Sequence, residues 1–588
     1  MLLITFSKVS DKFYEEANIP DKYEFVIDLY NQVDHSKIKI QVYKRNDFPE
    51  LTLWIKNARK NYLDFLAQLS ISKISKNKSI RDFKLYNFPI YWLTSISEKH
   101  PRNHWLYSFF LFQEFLKSNY YIDKELVIYL NNQTSELKKN ILEINLENEH
   151  KRNISFIILE KRNTLRILLG ILKSQILSFH FKLESSNSEK QFEKAQIQVI
   201  SQKCNRVFYT QFKNADFFKD YQIAFKPLNY FSLQQETYNH ISSDFSNFLP
   251  GTKKKIEIFL KSFLLFLRIT VLLKKIKFNK IKFPSTILKD EFYDVLKNAQ
   301  LYFSIYFTYI YFFKGIKKRT IFFLEDEFYN HGRIICKAFN DAQNKNVKLF
   351  GMQHGMFSES HTVYSILNEE IIDIHKGDAI PLPEKFIVWG DFFKNLFHKK
   401  NQLNTNFTEV LGCPHYIHLK SHINTLKKDN KNVNYILWCT TGVEQFLFEL
   451  PFVLKLLEFY SLPIVIRYHP LGHISKEFIE KKLHGVTYTF DSEKEIYNSI
   501  INSYFVITSA HSTVVLDCLV CEKKVYRIIF DRSDEEFTEP SEFIINVKKM
   551  EDLESTHNNI FLKDYTNKYL YLKEDRWNSF LNRNLKEC

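Results

Sequence analysis

Glycine and cysteine are scarce, at 12 and 7 among 588 residues. With so few glycines, any anion site has to be built without a glycine-rich loop. The cysteines (Cys204, Cys336, Cys413, Cys439, Cys518, Cys521, Cys588) are odd in number and scattered, which excludes a disulfide framework and points to a reducing compartment. Cys518 and Cys521 lack the second pair that a zinc site needs and fall in a helical pattern, so they read as buried helix residues. No apolar run is long and uncharged: the most membrane-like stretch, 256–278, carries Lys261 and Arg268 inside it, so it reads as a buried helix or one lying on a membrane surface. The opening "MLLITFSKVSDKFYEE" has no basic leader region, and a cytoplasmic location is expected. No Asp-x-Asp pair stands at a strand end, so no metal and no cofactor is expected. There is no short repeat and no low-complexity tract.

The length exceeds what one hydrophobic core covers, so two or more domains are expected. A content of 45% hydrophobic and 16% aromatic residues suffices for folded domains. The excess of 82 Lys plus Arg over 67 Asp plus Glu gives +15, and it is attributed first to compositional drift, because Phe, Tyr, Asn, Ile and Lys are all in excess while Gly is scarce; with the lysines dispersed, a nucleic-acid partner is not expected.

Short β-rich runs alternate with helical ones: "ELVIYL", "ISFIILE", "RVFYTQF", "TIFFLEDEF", "VKLFGMQHG", "KFIVWGD" and "FTEVLGCPH". Such alternation predicts a parallel sheet covered by helices. Roughly residues 213–318 read as a helical insertion, and the first 120 residues as mixed, with "KIKIQVYK" strand-like and "HWLYSFFLFQEFLKS" helical. The polar stretch 416–434 reads as a boundary, giving a first domain over 1–425 and a second over 426–588. In the second, "YILWC", "PIVIRYHP", "VTYTFD", "YFVITSAHS" and "KVYRIIFD" are predicted strands. The fold class is α/β, with two doubly wound domains facing across a cleft.

Ligands of such sheets bind beyond the carboxyl ends of strands, so polar residues there are the candidates. "RYHPLGH" offers Arg467, His469 and Pro470 to a phosphate. "ITSAHSTVV" runs from a strand into a helix and places Ser509, Ser512 and Thr513 at a helix N-terminus, where hydroxyls and amide groups favour anions. Thr440, Thr441 and Gly442 occupy the corresponding turn after "YILWC". In the first domain, Glu325 ends a strand and serves as candidate base or nucleophile, while Asp326 and Glu327 read as solvated loop acids. "GMQHG" supplies His354 as its partner, with Gln353 and Gly355 as acceptor-side contacts.

The "HP" of His469-Pro470, the downstream Ser512-Thr513, Glu325 and "GMQHG" together resemble GT-B glycosyltransferases. The nearest likenesses are bacterial surface-carbohydrate biosynthesis proteins and capsule Kdo and sialic-acid transferases, and more distantly CDP-glycerol glycerophosphotransferases. The chain departs from them where Tyr329-Asn330 takes the place of a Trp-Glu pair and where "EDE" precedes Phe328 rather than glycine. The resemblance implies a CMP-activated donor of a 2-keto acid sugar, a glycan or lipid-linked glycan acceptor, and peripheral contact with the inner membrane surface. Two alternatives stand beside it: transfer of a polyol phosphate from a CDP donor, and a basic scaffold binding membrane or nucleic acid.

Overall fold

The computed structural model describes residues 2–5, 11–19, 22–29, 33, 37–44, 47–75, 78–99, 106–118, 125–130, 154–158, 195–201, 212, 215–221, 223–227, 250–272, 285–325, 327–359, 361–373, 377–401, 403–429, 435–440, 442–468, 474–493, 495–510, 512–529, 544–556 and 569–585. Three parallel sheets follow one another along the chain.

The first sheet takes β1 (Leu2–Thr5), β2 (Phe25–Asp28), β3 (Gln41–Lys44), β4 (Leu126–Leu130) and β5 (Ile154–Ile158) in the order β3-β2-β1-β4-β5. The sequence reading has β3 in "KIKIQVYK", β4 in "ELVIYL" and β5 in "ISFIILE", but it joins the last two to the alternation that follows and does not give these strands a sheet of their own. It also lacks β1 and β2, which at four residues each are too short to establish a period. Helices α1 (Leu51–Ser70) and α2 (Leu106–Lys117) pack together beside it through Trp54, Tyr62, Phe110 and Phe115.

The middle sheet contains β6 (Ile197–Ser201), β7 (Ile223–Pro227), β8 (Thr320–Leu324), β9 (Val347–Met352), β10 (Lys385–Val388) and β11 (Thr408–Val410), ordered β7-β6-β8-β9-β10-β11. The expected strand "RVFYTQF" lies outside the described residues apart from Phe212, which is helical; "IQVIS" is the strand observed there. Within the expected insertion the described residues form the edge strand β7 and then the helices α3 (Thr252–Leu272), α4 (Ser285–Lys297) and α5 (Ala299–Gly315). After β8 comes α6 (Asn330–Ala342).

The third sheet holds β12 (Ile436–Thr440), β13 (Ile464–Tyr468), β14 (Tyr488–Phe490), β15 (Phe505–Ser509), β16 (Val525–Ile528) and β17 (Ile544–Val547), in the order β14-β13-β12-β15-β16-β17. Each of the five strands expected here is present. The polar segment from 416, read as a boundary, is helical through residue 429 as α7 (Pro414–Asp429); its inward Tyr416, Ile417, Leu419 and Ile423 recur at helical spacing. Helices α8 (Val443–Tyr460), α9 (Ile496–Asn502) and α10 (Val514–Cys521) follow their strands. Cys518 and Cys521 are fully buried in α10, as expected, and no disulfide forms among the described residues.

The chain then returns. Tyr569–Leu570 runs against the strand ends of the middle sheet, where the Tyr571 N–H donates to Trp389 O (2.7 Å), and α11 (Asp575–Leu585) buries Trp577, Phe580 and Leu581 against Phe323, Phe350 and Ile387.

Candidate functional site

In a doubly wound sheet the crevice opens where successive connections leave in opposite directions. In the middle sheet that point lies between β6 and β8, and in the third between β12 and β15. The candidate residues divide between these two places.

Glu325 extends β8 by one residue, its N–H donating to Ile200 O (2.9 Å), so the carboxylate stands at the switch point of the middle sheet, only 4% exposed. On the adjoining strand, Leu324 is in register with Gly351, which puts the partly buried His354 three residues beyond that level. Glu327, expected in solvent, is 1% exposed. Its side chain lies across Gly351, where a Cβ would sit 2.7 Å from the Glu327 Cγ, so the first glycine of "GMQHG" admits a carboxylate. Gly355 has open space where its side chain would be.

Gln353 does not present its amide to a ligand. It is fully buried: Nε2 donates to Gly355 O (3.0 Å), Oε1 accepts from the Trp389 N–H (2.9 Å), and its own N–H bonds Ile387 O (2.9 Å). The side chain fastens the end of β9 to the end of β10.

In the third sheet, Cys439 pairs with Thr508, so β12 and β15 finish level with one another. Ser509 closes β15, and its carbonyl accepts from the Ser512 N–H (3.2 Å). Ser512 Oγ accepts from the Val514 N–H (3.3 Å), capping α10, and Thr513 is exposed at the first turn of that helix. Beside them Gly442 begins α8 with open space around it. Thr441, His469 and Pro470 lie outside the described residues, as do Asp326 and His511.

Two expected contacts are engaged elsewhere. Arg467 Nη1 pairs with Asp491 (2.5 Å) and donates to Glu493 O (2.9 Å), and Ser499 Oγ also bonds Asp491 (2.7 Å). The guanidinium ties β13 to the loop ahead of α9 rather than standing ready for a phosphate. Thr440 is buried, with its side chain against Glu449 of α8. The Glu449 carboxyl accepts from Trp438 Nε1 (2.7 Å) and Gln445 Nε2 (2.7 Å), and burial raises it to about 7.

Sequence reasoning missed the residues of α7 that join the two sheets. His415 follows the end of β11, its ring 6.1 Å from Tyr497 of α9, and burial together with nearby His418 lowers it to about 4. The Tyr416 hydroxyl bonds Asp517 of α10, whose carboxyl burial pushes up to about 7, and Lys420 pairs with Glu522 (2.8 Å). The only sequence signal was a histidine in the first turn of the helix that follows a strand.

No family model and no curated protein matches the chain. Among solved structures, UDP-GlcNAc 2-epimerase from Neisseria meningitidis bound to UDP-GlcNAc aligns at 11% identity and a TM-score of 0.37, over 66% of this chain and 98% of that one. The wall teichoic acid polymerase TagF aligns at 11% and 0.33, over 72% and 91%, and UDP-N-acetylglucosamine 2-epimerase from Rickettsia bellii at 12% and 0.32, over 56% and 77%. These are distant likenesses of shape. The site rests on the sheet order and on the side chains at the two switch points.

Proposed function

We propose that the chain is a GT-B glycosyltransferase, with an acceptor-side unit ending near residue 425 and a donor-binding unit after it. The proposed donor is a CMP ester of a 2-keto acid sugar of the Kdo or sialic-acid type, and the acceptor a surface glycan. One observation carries this reading: the candidate base of the middle sheet, Glu325, and the hydroxyl candidates of the third sheet, Ser509, Ser512 and Thr513, with Gly442 beside them, stand each at their own sheet's switch point. Chemistry and anion binding are thereby divided between tandem units, as transfer between a nucleotide donor and a separate acceptor requires.

The N-terminal end of α10, with its positive dipole and the two hydroxyls, holds the donor phosphate, assisted by His469 next to the end of β13. Glu325 takes the proton from the acceptor hydroxyl as that oxygen bonds the anomeric carbon. The bond from the anomeric carbon to the phosphate oxygen breaks, and its electron pair leaves with CMP. His354 orients the acceptor or the carboxylate. No metal takes part in this scheme.

The test is product analysis with CMP-activated sugars. Release of CMP and a phosphorus-free product are expected, with turnover falling roughly 10²- to 10⁴-fold in Glu325→Gln. Full turnover in both Glu325→Gln and His354→Ala would overturn the assignment, and transfer from a CDP-polyol that puts phosphorus into the acceptor and releases CMP would mean polyol-phosphate transfer instead.

A further inference from the structure

Helix α3 is apolar on two opposite faces. Ile258, Leu265, Phe266 and Ile269 are buried against α4 and α5, with the Phe266 ring 4.8 Å from Tyr293. The reverse side carries Ile256, Leu260, Phe263, Leu264, Leu267 and Val271, exposed to 46, 53, 38, 64, 47 and 63%. Their spacing of four, three, one, three and four residues keeps all six on one stripe of the helix. One such residue on a surface needs no explanation, but six in a continuous row do.

The charges of the helix are mostly positive. The helix holds Lys253, Lys254, Lys255, Lys261 and Arg268 against the single acid Glu257, which Lys254 (2.8 Å) and Lys261 (2.7 Å) already bond. Lys254 and Lys261 sit over the rings of Phe307 and Tyr86, 4.4 and 4.2 Å from their centroids, and so line one flank of the stripe. Lys253 and Arg268 are exposed. No helix among the described residues is long and apolar enough to cross a bilayer.

We infer that α3 lies in the plane of an anionic lipid surface, its exposed stripe entering the boundary between headgroups and acyl chains and its cations meeting lipid phosphates. A large apolar face bordered by lysine and arginine has this chemistry. A second copy of the chain suits it less well, since a symmetric contact would bring two cationic helices together.

The experiment is sedimentation of the full chain with phosphatidylcholine vesicles made with and without phosphatidylglycerol. Binding is expected to the anionic vesicles, to weaken with salt, and to be lost in a Leu260→Glu, Leu264→Glu, Leu267→Glu variant whose thermal unfolding matches the parent, these side chains being exposed already. Lys253→Gln with Arg268→Gln is expected to weaken binding on the order of tenfold. No sedimentation of the parent, equal sedimentation of the triple variant, or equal binding to both vesicle types would overturn the inference. A dimer seen by light scattering and abolished by the triple variant, without vesicle binding, would give the face to a second copy. The readout involves neither donor nor acceptor, so it fails or succeeds independently of the transferase proposal.

Discussion

Glu449 shows how a buried acid can escape a reading of sequence. It lies mid-helix in α8, and its partners are Trp438 on the preceding strand, eleven residues back, and Gln445 one turn away, a cluster formed only when helix packs on strand. Its raised value gives it a definite linkage. Between about 4.5 and about 7 the folded state keeps a proton that the unfolded state has released, so stability is fullest below that window and falls as pH rises through it, by roughly 1.4 kcal/mol per pH unit. In Glu449→Gln this contribution disappears, and a flatter dependence of urea midpoint on pH between 5 and 7 is expected; an unchanged slope would show that the carboxyl is ionised in the fold. Arg467 illustrates the converse. Its place at a strand end was legible, but its partner Asp491 is 24 residues away and claims the guanidinium. The hydroxyl of Ser512 was legible because capping is local, decided within three residues of the turn.

At the scale of elements, the strands of the third sheet could be read because each is a compact apolar run, whereas the returning C-terminal segment could not. Nothing in the local pattern of "YLYLKEDRWNSF" says which sheet it joins. The structure seats it on glycines: a Cβ at Gly390 would stand 2.0 Å from Tyr569 O, and at Gly412, where φ is +86°, 2.1 Å from Tyr571 O. Gly390→Ala is therefore expected to lift the return segment and destabilise the fold by about 1–3 kcal/mol, measured by urea denaturation. Trp577→Ala, which empties a site among Phe217, Phe218 and Phe323, is expected to be worse, at about 3–5 kcal/mol. If both variants matched the parent, α11 would not be part of the middle unit's core.

Across the whole molecule, the segment that connects β3 to β4 of the first sheet is bound into the middle unit by buried charge. Lys99, with Nζ bonded to Ser365 O (2.5 Å) and Glu370 (2.5 Å), is 1% exposed, and Arg333 of α6 donates to Trp92 O (3.0 Å), Ser97 Oγ (2.7 Å) and Ser97 O (2.7 Å). Arg81 reaches Ile372 O (2.7 Å) from the same segment. Removing one partner of such a pair strands the other, so Lys99→Met is expected to cost about 3–5 kcal/mol, while Lys99→Met with Glu370→Met recovers most of it. Sequence could not foresee this seam, because its partners are 236 to 291 residues apart. The architecture of tandem parallel sheets was legible all the same, since strand ends and turn residues are fixed locally while the contacts between units are not.

The central claim is that the switch point of the third sheet holds a nucleotide phosphate. Thermal unfolding with CMP, CDP, UDP and GDP, compared between the parent and Thr513→Asp, tests it most directly, because an acid at that position favours the helix dipole but repels a phosphate. A rise in Tm with cytidine nucleotides that vanishes in Thr513→Asp, whose own Tm stays at or above the parent's, is the expected result. No rise with any nucleotide, or a rise the substitution leaves intact, would contradict the account.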